Sequence, residues 1–280
     1  MNRRVSICAL LLAVGLIGVP TASFSADEKA AIAPDKKINL LEGDSLAQFT
    51  TWLAQHGHQD PNKVFTVKDG VLHVSGEGDG YIATKNVYRD YHLSFEYRWG
   101  QARSNQSKYV RNSGVLLHGH GPDGAAGGKW MTTVEVQLAQ GCEGDFILIQ
   151  GKDADGKPIV NTISSEVELA PDGRRTRYKP GGKKIKYSGR QMWWKDHDLA
   201  FEEFLDTRGR NDLASKTGEW TRVDCICSGD RITVKINGQT VNAAFDVKPA
   251  AGKILFQNEE YEVFFRNIEL APVKSQASQK

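Results

Sequence analysis

The chain has 280 residues, enough for one large domain or two small ones, and a compact domain of that size buries about three quarters of the surface its unfolded chain exposes. Hydrophobic residues make up 40% and charged residues 25%, which excludes a disordered chain, and 36 Lys and Arg against 34 Asp and Glu leave a net charge of +2 that makes no general case for nucleic acid. Glycine is in excess, 28 of 280, and beside many short Val, Ile, Phe and Tyr runs it favours strands joined by tight turns over helical bundles or solenoids.

Arg3 and Arg4 precede an apolar run over residues 5–19, too short to span a bilayer comfortably and of the length of a signal-peptide core. Ser23 and Ser25 permit cleavage after Ser25, so residues 1–25 are expected to be removed and the protein to be periplasmic or secreted. Cys8 sits too early in the apolar run for a lipoprotein anchor, and no later stretch is expected to span a membrane. Residues 26–36 read as a polar linker, 37–272 as one domain and 273–280 as a flexible tail.

Strand signals recur over 64–67, 71–74, 91–99, 114–118, 133–139, 146–149, 220–226, 232–236, 253–257 and 261–270, which predicts an all-β sandwich or barrel. From Tyr91 to Trp99 every odd position is apolar or aromatic and every even one polar, so one face packs and the other meets water or ligand. Val134, Val136 and Leu138 alternate in the same way with Thr133, Glu135 and Gln137. The run Gly76-Glu77-Gly78-Asp79-Gly80 lacks the context of a dinucleotide fingerprint and reads as a turn.

Export places Cys142, Cys225 and Cys227 in a compartment that permits disulfides. Cys225 and Cys227 are two apart in a strand and share a face, so they are poorly placed to bridge each other. Buried free thiols are expected, ahead of a bridge from Cys142 to one of the pair. A zinc site is not expected, because no His follows at ligand spacing. Residues 174–190 hold eight Lys or Arg among seventeen and read as a long basic loop, solvated or attracted to anionic polymers. Trp193 and Trp194 then point to opposite faces if the segment is extended, so that one fills the core and the other can stack on a ligand ring.

No G-x-S-x-G elbow, phosphate-binding glycine loop or H-E-x-x-H is present. The densest region is Arg111-Asn112-Ser113-Gly114-Val115-Leu116-Leu117-His118-Gly119-His120-Gly121, followed by Lys129-Trp130-Met131-Thr132-Thr133-Val134-Glu135-Val136-Gln137. With Asp90-Tyr91-His92-Leu93, Glu96-Tyr97-Arg98, Gly144-Asp145-Phe146, Gly189-Arg190-Gln191 and Trp220-Thr221-Arg222-Val223 this resembles the 3-keto-disaccharide hydrolase family. Further matches are Val234-Lys235-Ile236-Asn237-Gly238, Gln257-Asn258-Glu259 and Phe265-Arg266-Asn267-Ile268-Glu269-Leu270, so that the likeness extends over about residues 40–272. It implies a concanavalin A-like jelly roll of two antiparallel sheets and a carbohydrate substrate, with cleavage of 3-keto-glycosides by elimination and hydration or by hydrolysis. Where the family pattern has Glu-Gly-Gly-Thr-Gly-Asp, the chain has Gln140-Gly141-Cys142-Glu143-Gly144-Asp145.

Ordinary glycosidases need two facing carboxyl groups, and the strand that carries Glu135 continues with Gln137 and Ala139, leaving one acid there. A single base suits proton abstraction beside a ketone, which also needs a group to hold the enolate oxygen. The residues singled out are Glu135 or His118 as base, Arg98 or a metal at the oxyanion, Gln137 and Gln257 for hydroxyls, Glu96 or Glu259 as a second acid entering from another strand, and Trp193 or Trp194 for stacking. His118, Glu135, Glu259 and Gln137 are also a candidate set for a divalent cation with open positions. The competing expectations are a carbohydrate-binding module without catalysis and an envelope protein that mediates protein contacts.

Overall fold

The computed structural model describes residues 30–103 and 108–273, so the expected signal segment and nearly all of the expected tail lie outside the described residues. Its elements are strands, as the alternating runs require: β1 (Ile38–Asn39), β2 (Phe49–Leu53), β3 (Phe65–Lys68), β4 (Val71–Val74), β5 (Asp79–Thr84), β6 (Tyr91–Arg103) and β7 (Gly114–His120). Then come β8 (Thr132–Gln137), β9 (Phe146–Ile149), β10 (Gly151–Lys152), β11 (Pro158–Ile159), β12 (Thr162–Leu169), β13 (Thr176–Tyr178) and β14 (Lys183–Tyr187). The last are β15 (Gln191–Met192), β16 (Thr221–Ser228), β17 (Arg231–Ile236), β18 (Gln239–Lys248), β19 (Lys253–Glu259) and β20 (Tyr261–Pro272). Among the described residues no helix is long and apolar enough to cross a membrane.

Two antiparallel sheets form a jelly-roll β-sandwich. One has seven strands in the order β15-β9-β8-β7-β19-β5-β2; the other has eleven, running β13-β12-β18-β17-β16-β6-β20-β4-β3 with β1 on β20 and β14 on β12. Their inner faces share one core. β6 contributes Tyr91, Leu93, Phe95, Tyr97 and Trp99 to it, and β8 contributes Val134 and Val136, so the period-2 pattern sorts side chains by face. Phe256 of β19 sits at the centre, edge-on to Phe49 at 6.2 Å, Phe95 at 5.6 Å and Phe265 at 5.2 Å, and so joins both sheets. Cys225 and Cys227 face this core as free thiols, and Cys142 is free and buried in a smaller cluster.

Two expectations are revised. Residues 174–190 are not a loop: β13 and β14 both pair with β12, with Lys183 opposite Val167 and Tyr187 opposite Ile163, and the lysines stay exposed on this ladder. A loop reading failed because the cross-strand partners of Ile185 and Tyr187, Ser165 and Ile163, lie on β12, out of reach of local pattern. The glycine run 76–80 turns at Gly76 and Gly78, whose φ angles are +84° and +71°, but β5 already begins at Asp79. β2, β5, β12 and β18, which the sequence signals did not include, complete the sheets.

Truncating Phe256→Ala removes the contact common to both sheets and is expected to cost about 3–5 kcal/mol in urea unfolding; a loss below about 1 kcal/mol would mean that the sheets are held together elsewhere.

Candidate active site

Because Val134 and Val136 face the core, Glu135 and Gln137 project from the outer face of the seven-stranded sheet. On β19 the same rule buries Ile254 and Phe256 inward and sends Leu255, Gln257 and Glu259 outward. β7 runs between these two strands, with Gly114 opposite Gln137, Leu116 opposite Glu135 and Val115 opposite Phe256. Gly114 is the position that makes the arrangement possible: a Cβ there would lie 2.2 Å from Glu135 Oε1. The missing side chain lets the Glu135 carboxylate lie across β7 toward β19.

Glu135, Gln137, Gln257 and Glu259 thus line the floor of a cleft of about 620 Å³. One wall is the loop before β8, contributing Ala126, Gly127, Lys129 and Trp130; the other is Ser188, Gly189 and Arg190, and Asn112 closes one end. The first wall is tied to the sheet by Trp52 Nε1 donating to the Gly128 carbonyl (3.1 Å), by Tyr81 Oη donating to Asp123 (2.5 Å) and by the Lys129–Asp79 ion pair (2.5 Å). The second is held by the Leu148 amide, which donates to the Arg190 carbonyl at 2.7 Å. Beneath the first wall, Tyr81, Leu116, Ile147 and Leu255 form an apolar patch beside the acids.

Burial dominates the electrostatics. It pushes Glu135 up to about 8, with Glu259 adding to the rise and Arg190 opposing it. Burial also lifts Glu259 to about 7, helped by Asp79 and opposed by Lys129 and Arg190. Glu135 Oε1 and Gln257 Oε1 are buried without a hydrogen-bond partner, so both point unsatisfied acceptors at whatever fills the cleft. The Gln137 side-chain oxygen, Oε1, accepts from the Leu138 and Ala139 amides at 2.9 and 3.0 Å, which leaves its NH2 for a ligand. Two neighbouring acids poised near neutrality can hold and move a single proton.

The remaining expected site residues lie elsewhere. His118 follows Leu116 by two and would share the cleft face, but a bulge in β7 and a left-handed backbone at His118 (φ +55°) turn it inward. It is buried against Tyr91 of the opposite sheet (centroids 6.0 Å apart), its Nδ1 3.0 Å from the Pro249 carbonyl oxygen. The cation set built on His118 is therefore not assembled. Arg98 does lie on the polar face of β6, but β6 belongs to the other sheet, where the guanidinium covers Trp220 and Phe264 at 5.0 and 4.6 Å. Trp194 packs in the core, and Trp193 is already stacked between His197 (3.9 Å) and Arg175 (4.5 Å), so neither ring is open to a sugar. Asn112, Lys129, Trp130 and Arg190 line the cleft without having been expected from strand alternation, and their signal in the sequence is that each stands inside a motif that carries the family resemblance.

Two measurements test this geometry. Gly114→Ala is expected to fold with a modest loss of Tm while displacing the Glu135 carboxylate, and a crystal structure with Glu135 unmoved would refute the crowding argument. In the unfolded chain both acids ionise near 4.5, whereas the fold holds their protons to about 7–8, so stability from the neutral forms is full below pH 4.5 and is lost as pH rises through 7–8. The unfolding free energy of Glu135→Gln should gain on that of the unsubstituted protein up to pH 8, by at most about 1.4 kcal/mol per pH unit. A gap that stays constant with pH would mean an ordinary Glu135.

Among solved structures, a provisionally assigned glycosyl hydrolase from Parabacteroides distasonis ATCC 8503 is 15% identical, with 90% of this chain and 99% of that one covered at a TM-score of 0.48. A second such protein from the same organism is 18% identical, covering 84% and 98% at 0.46. The carbohydrate binding module CBM66 from Bacillus subtilis is 9% identical, covering 79% and 94% at 0.43. No curated protein matches the sequence. The sequence profile of the family described as the 3-keto-alpha-glucoside-1,2-lyase-like domain matches residues 36–271, nearly the whole of the described sandwich and all four acids and amides of the cleft floor. The chain is a member of that family.

Proposed function

We propose that the protein is an exported enzyme that cleaves 3-keto-glycosides by elimination, followed by hydration. The observation that carries this reading is the buried Glu135 carboxyl, raised to about 8, beside Glu259 at about 7 in a cleft with Lys129 on one wall and Arg190 on the other. Family membership supports the substrate class, and the arginine pair and apolar run at residues 3–19 support export to the periplasm or beyond.

A ketone at carbon 3 acidifies the proton on carbon 2. In the tautomer of the pair that keeps its one proton on Glu259, Glu135 takes the carbon 2 proton and leaves the electron pair as an enolate on the carbon 3 oxygen; the enolate then collapses into a double bond between carbons 1 and 2 as the bond from carbon 1 to the glycosidic oxygen breaks. Glu259 gives its proton to the departing oxygen. Water then adds its hydroxyl to carbon 1 and its proton to Glu259, while Glu135, after exchanging its proton with water, returns one to carbon 2, so the net change is hydrolysis. Arg190 takes the role first given to Arg98, holding the enolate oxygen, since Lys129 is already engaged by Asp79. Gln137, Gln257 and Asn112 serve the hydroxyls, and Trp130 offers an aromatic edge to the ring.

The test is release of a chromogenic aglycone from a 3-keto-glucoside, with the unoxidised glucoside as control. Turnover should require the ketone, and in heavy water the product should carry deuterium at carbon 2; release without deuterium would point to direct hydrolysis. Glu135→Gln should lower turnover at least about a hundredfold. The pH profile should be bell-shaped with its maximum between about 7 and 8, where the pair holds one proton. Binding without turnover would make the protein a carbohydrate-binding module.

A further inference from the structure

Outside the cleft, the turn between β8 and β9 brings Cys142 and Asp145 against His197, a residue far along the chain. One donor atom from each lies within 4.8 Å of the others, and all three side chains are buried. We propose that this cluster is a structural zinc site, distinct from the cleft, that clamps the β8–β9 turn to the segment following Arg190.

Four observations carry the proposal. Asp145 is 0% exposed, and among the described residues its ion-pair partner within 4.0 Å is His197 rather than Lys or Arg; buried carboxylates are ordinarily paired or bound to metal. His197 Nδ1 is buried without a hydrogen-bond partner and stands 3.6 Å from Asp145 Oδ2. That separation is too long for a hydrogen bond, and it is close to the spacing of a nitrogen and an oxygen ligand on a tetrahedral zinc, about 3.3–3.5 Å for bonds of ordinary length. The donors are also held from behind, as ligands of a metal are. The Trp194 amide donates to Asp145 Oδ1 at 2.7 Å, Gln191 Nε2 donates to Oδ2 at 2.8 Å, and the His197 ring lies flat on Trp193 at 3.9 Å. Finally, the charges balance: a thiolate and a carboxylate cancel the two charges of the ion, which suits a site with no access to water.

One sulfur, one nitrogen and one oxygen donor favour zinc over calcium or magnesium. Glu203, whose Oε1 is 3.9 Å from Cys142 Sγ, stands outside the three-donor cluster, where it can relay the thiol proton outward. Binding would displace the Cys142 proton to solvent. The clamp would also stiffen the cleft, because the turn it grips exchanges two backbone hydrogen bonds with Gln137, from the Gln137 amide to the Asp145 carbonyl (2.9 Å) and from the Gly144 amide to the Gln137 carbonyl (2.8 Å).

The full chain, stripped with a chelator, would be titrated with zinc in competition with a chelating dye, and with cobalt to read the thiolate-to-metal charge-transfer band. The expected result is one ion per chain, a cobalt–thiolate band, and, in mild denaturant where the stripped protein opens, zinc-dependent protection of Cys142 from a thiol-alkylating reagent mapped by mass spectrometry. Cys142→Ser should abolish the band and, with His197→Gln, weaken zinc binding at least about a hundredfold, while Glu135→Gln leaves it unchanged. The protection assay on the unsubstituted protein decides the matter if the variants fail to fold. Absence of zinc uptake, absence of Cys142 protection, or binding lost in Glu135→Gln but kept in Cys142→Ser would overturn the proposal, the last by placing the ion in the cleft.

Discussion

Contact between the inner faces of the two sheets is the constraint on which the rest of the structure depends. Phe256 reaches from β19 into Phe95 and Phe265 of the opposite sheet and Phe49 of its own, and this packing admits only one register. Shifting β8 or β19 by one residue would bury Glu135 or Gln257 between the sheets and expose valine or phenylalanine. The polar rows of the cleft are therefore a by-product of core packing: once Val134, Val136, Ile254 and Phe256 are inside, Glu135, Gln137, Gln257 and Glu259 have only one face left.

That face is not ordinary solvent-exposed sheet, because two loops rise over it. Tyr81, Trp52 and Asp79 anchor one, and the backbone of β9 anchors the other. Together they take the acids out of water without supplying Glu135 with a hydrogen-bond donor to its Oε1. Desolvation thus outweighs the attraction of Arg190, and the carboxyl keeps a proton under conditions where an exposed glutamate would have lost it. A strong base is obtained by withholding stabilisation from its anion, and the fold carries that cost in stability at neutral pH.

The eleven-stranded sheet shows the opposite use of the same alternation. Its outward residues satisfy one another: Arg266 donates to Glu96 at 2.6 Å, Arg222 and His92 both meet Asp224 at 2.8 Å, and Arg98 lies over two aromatic rings. Asp224 is accordingly held down to about 2, where Glu135 is held up. Among the described residues, the hollow lined by Arg266 and Glu269 on this sheet is about 260 Å³, against about 620 Å³ for the cleft, and the charges are spent on partners. The buried Cys142–Asp145–His197 cluster stands between the two cases, a set of donors sequestered together and bonded through Asp145 to the segment that follows Arg190.

By itself the sequence determined the period-2 face pattern, and with it the all-β class, the outward projection of Glu135 and Gln137 and the inward pairing of Cys225 with Cys227, because these follow from the pleat of single strands. The family resemblance added Gln257 and Glu259. Only the tertiary structure decided which sheet each strand joined, and that alone separated Arg98 from the cleft and brought Arg190 into it. A bulge that depends on the partner strands turned His118 into the core, against what its spacing from Leu116 indicates. The cluster of Cys142, Asp145 and His197 was invisible for the same reason: metal-ligand spacing in sequence reports local loops, whereas these donors meet through long-range packing of separate segments.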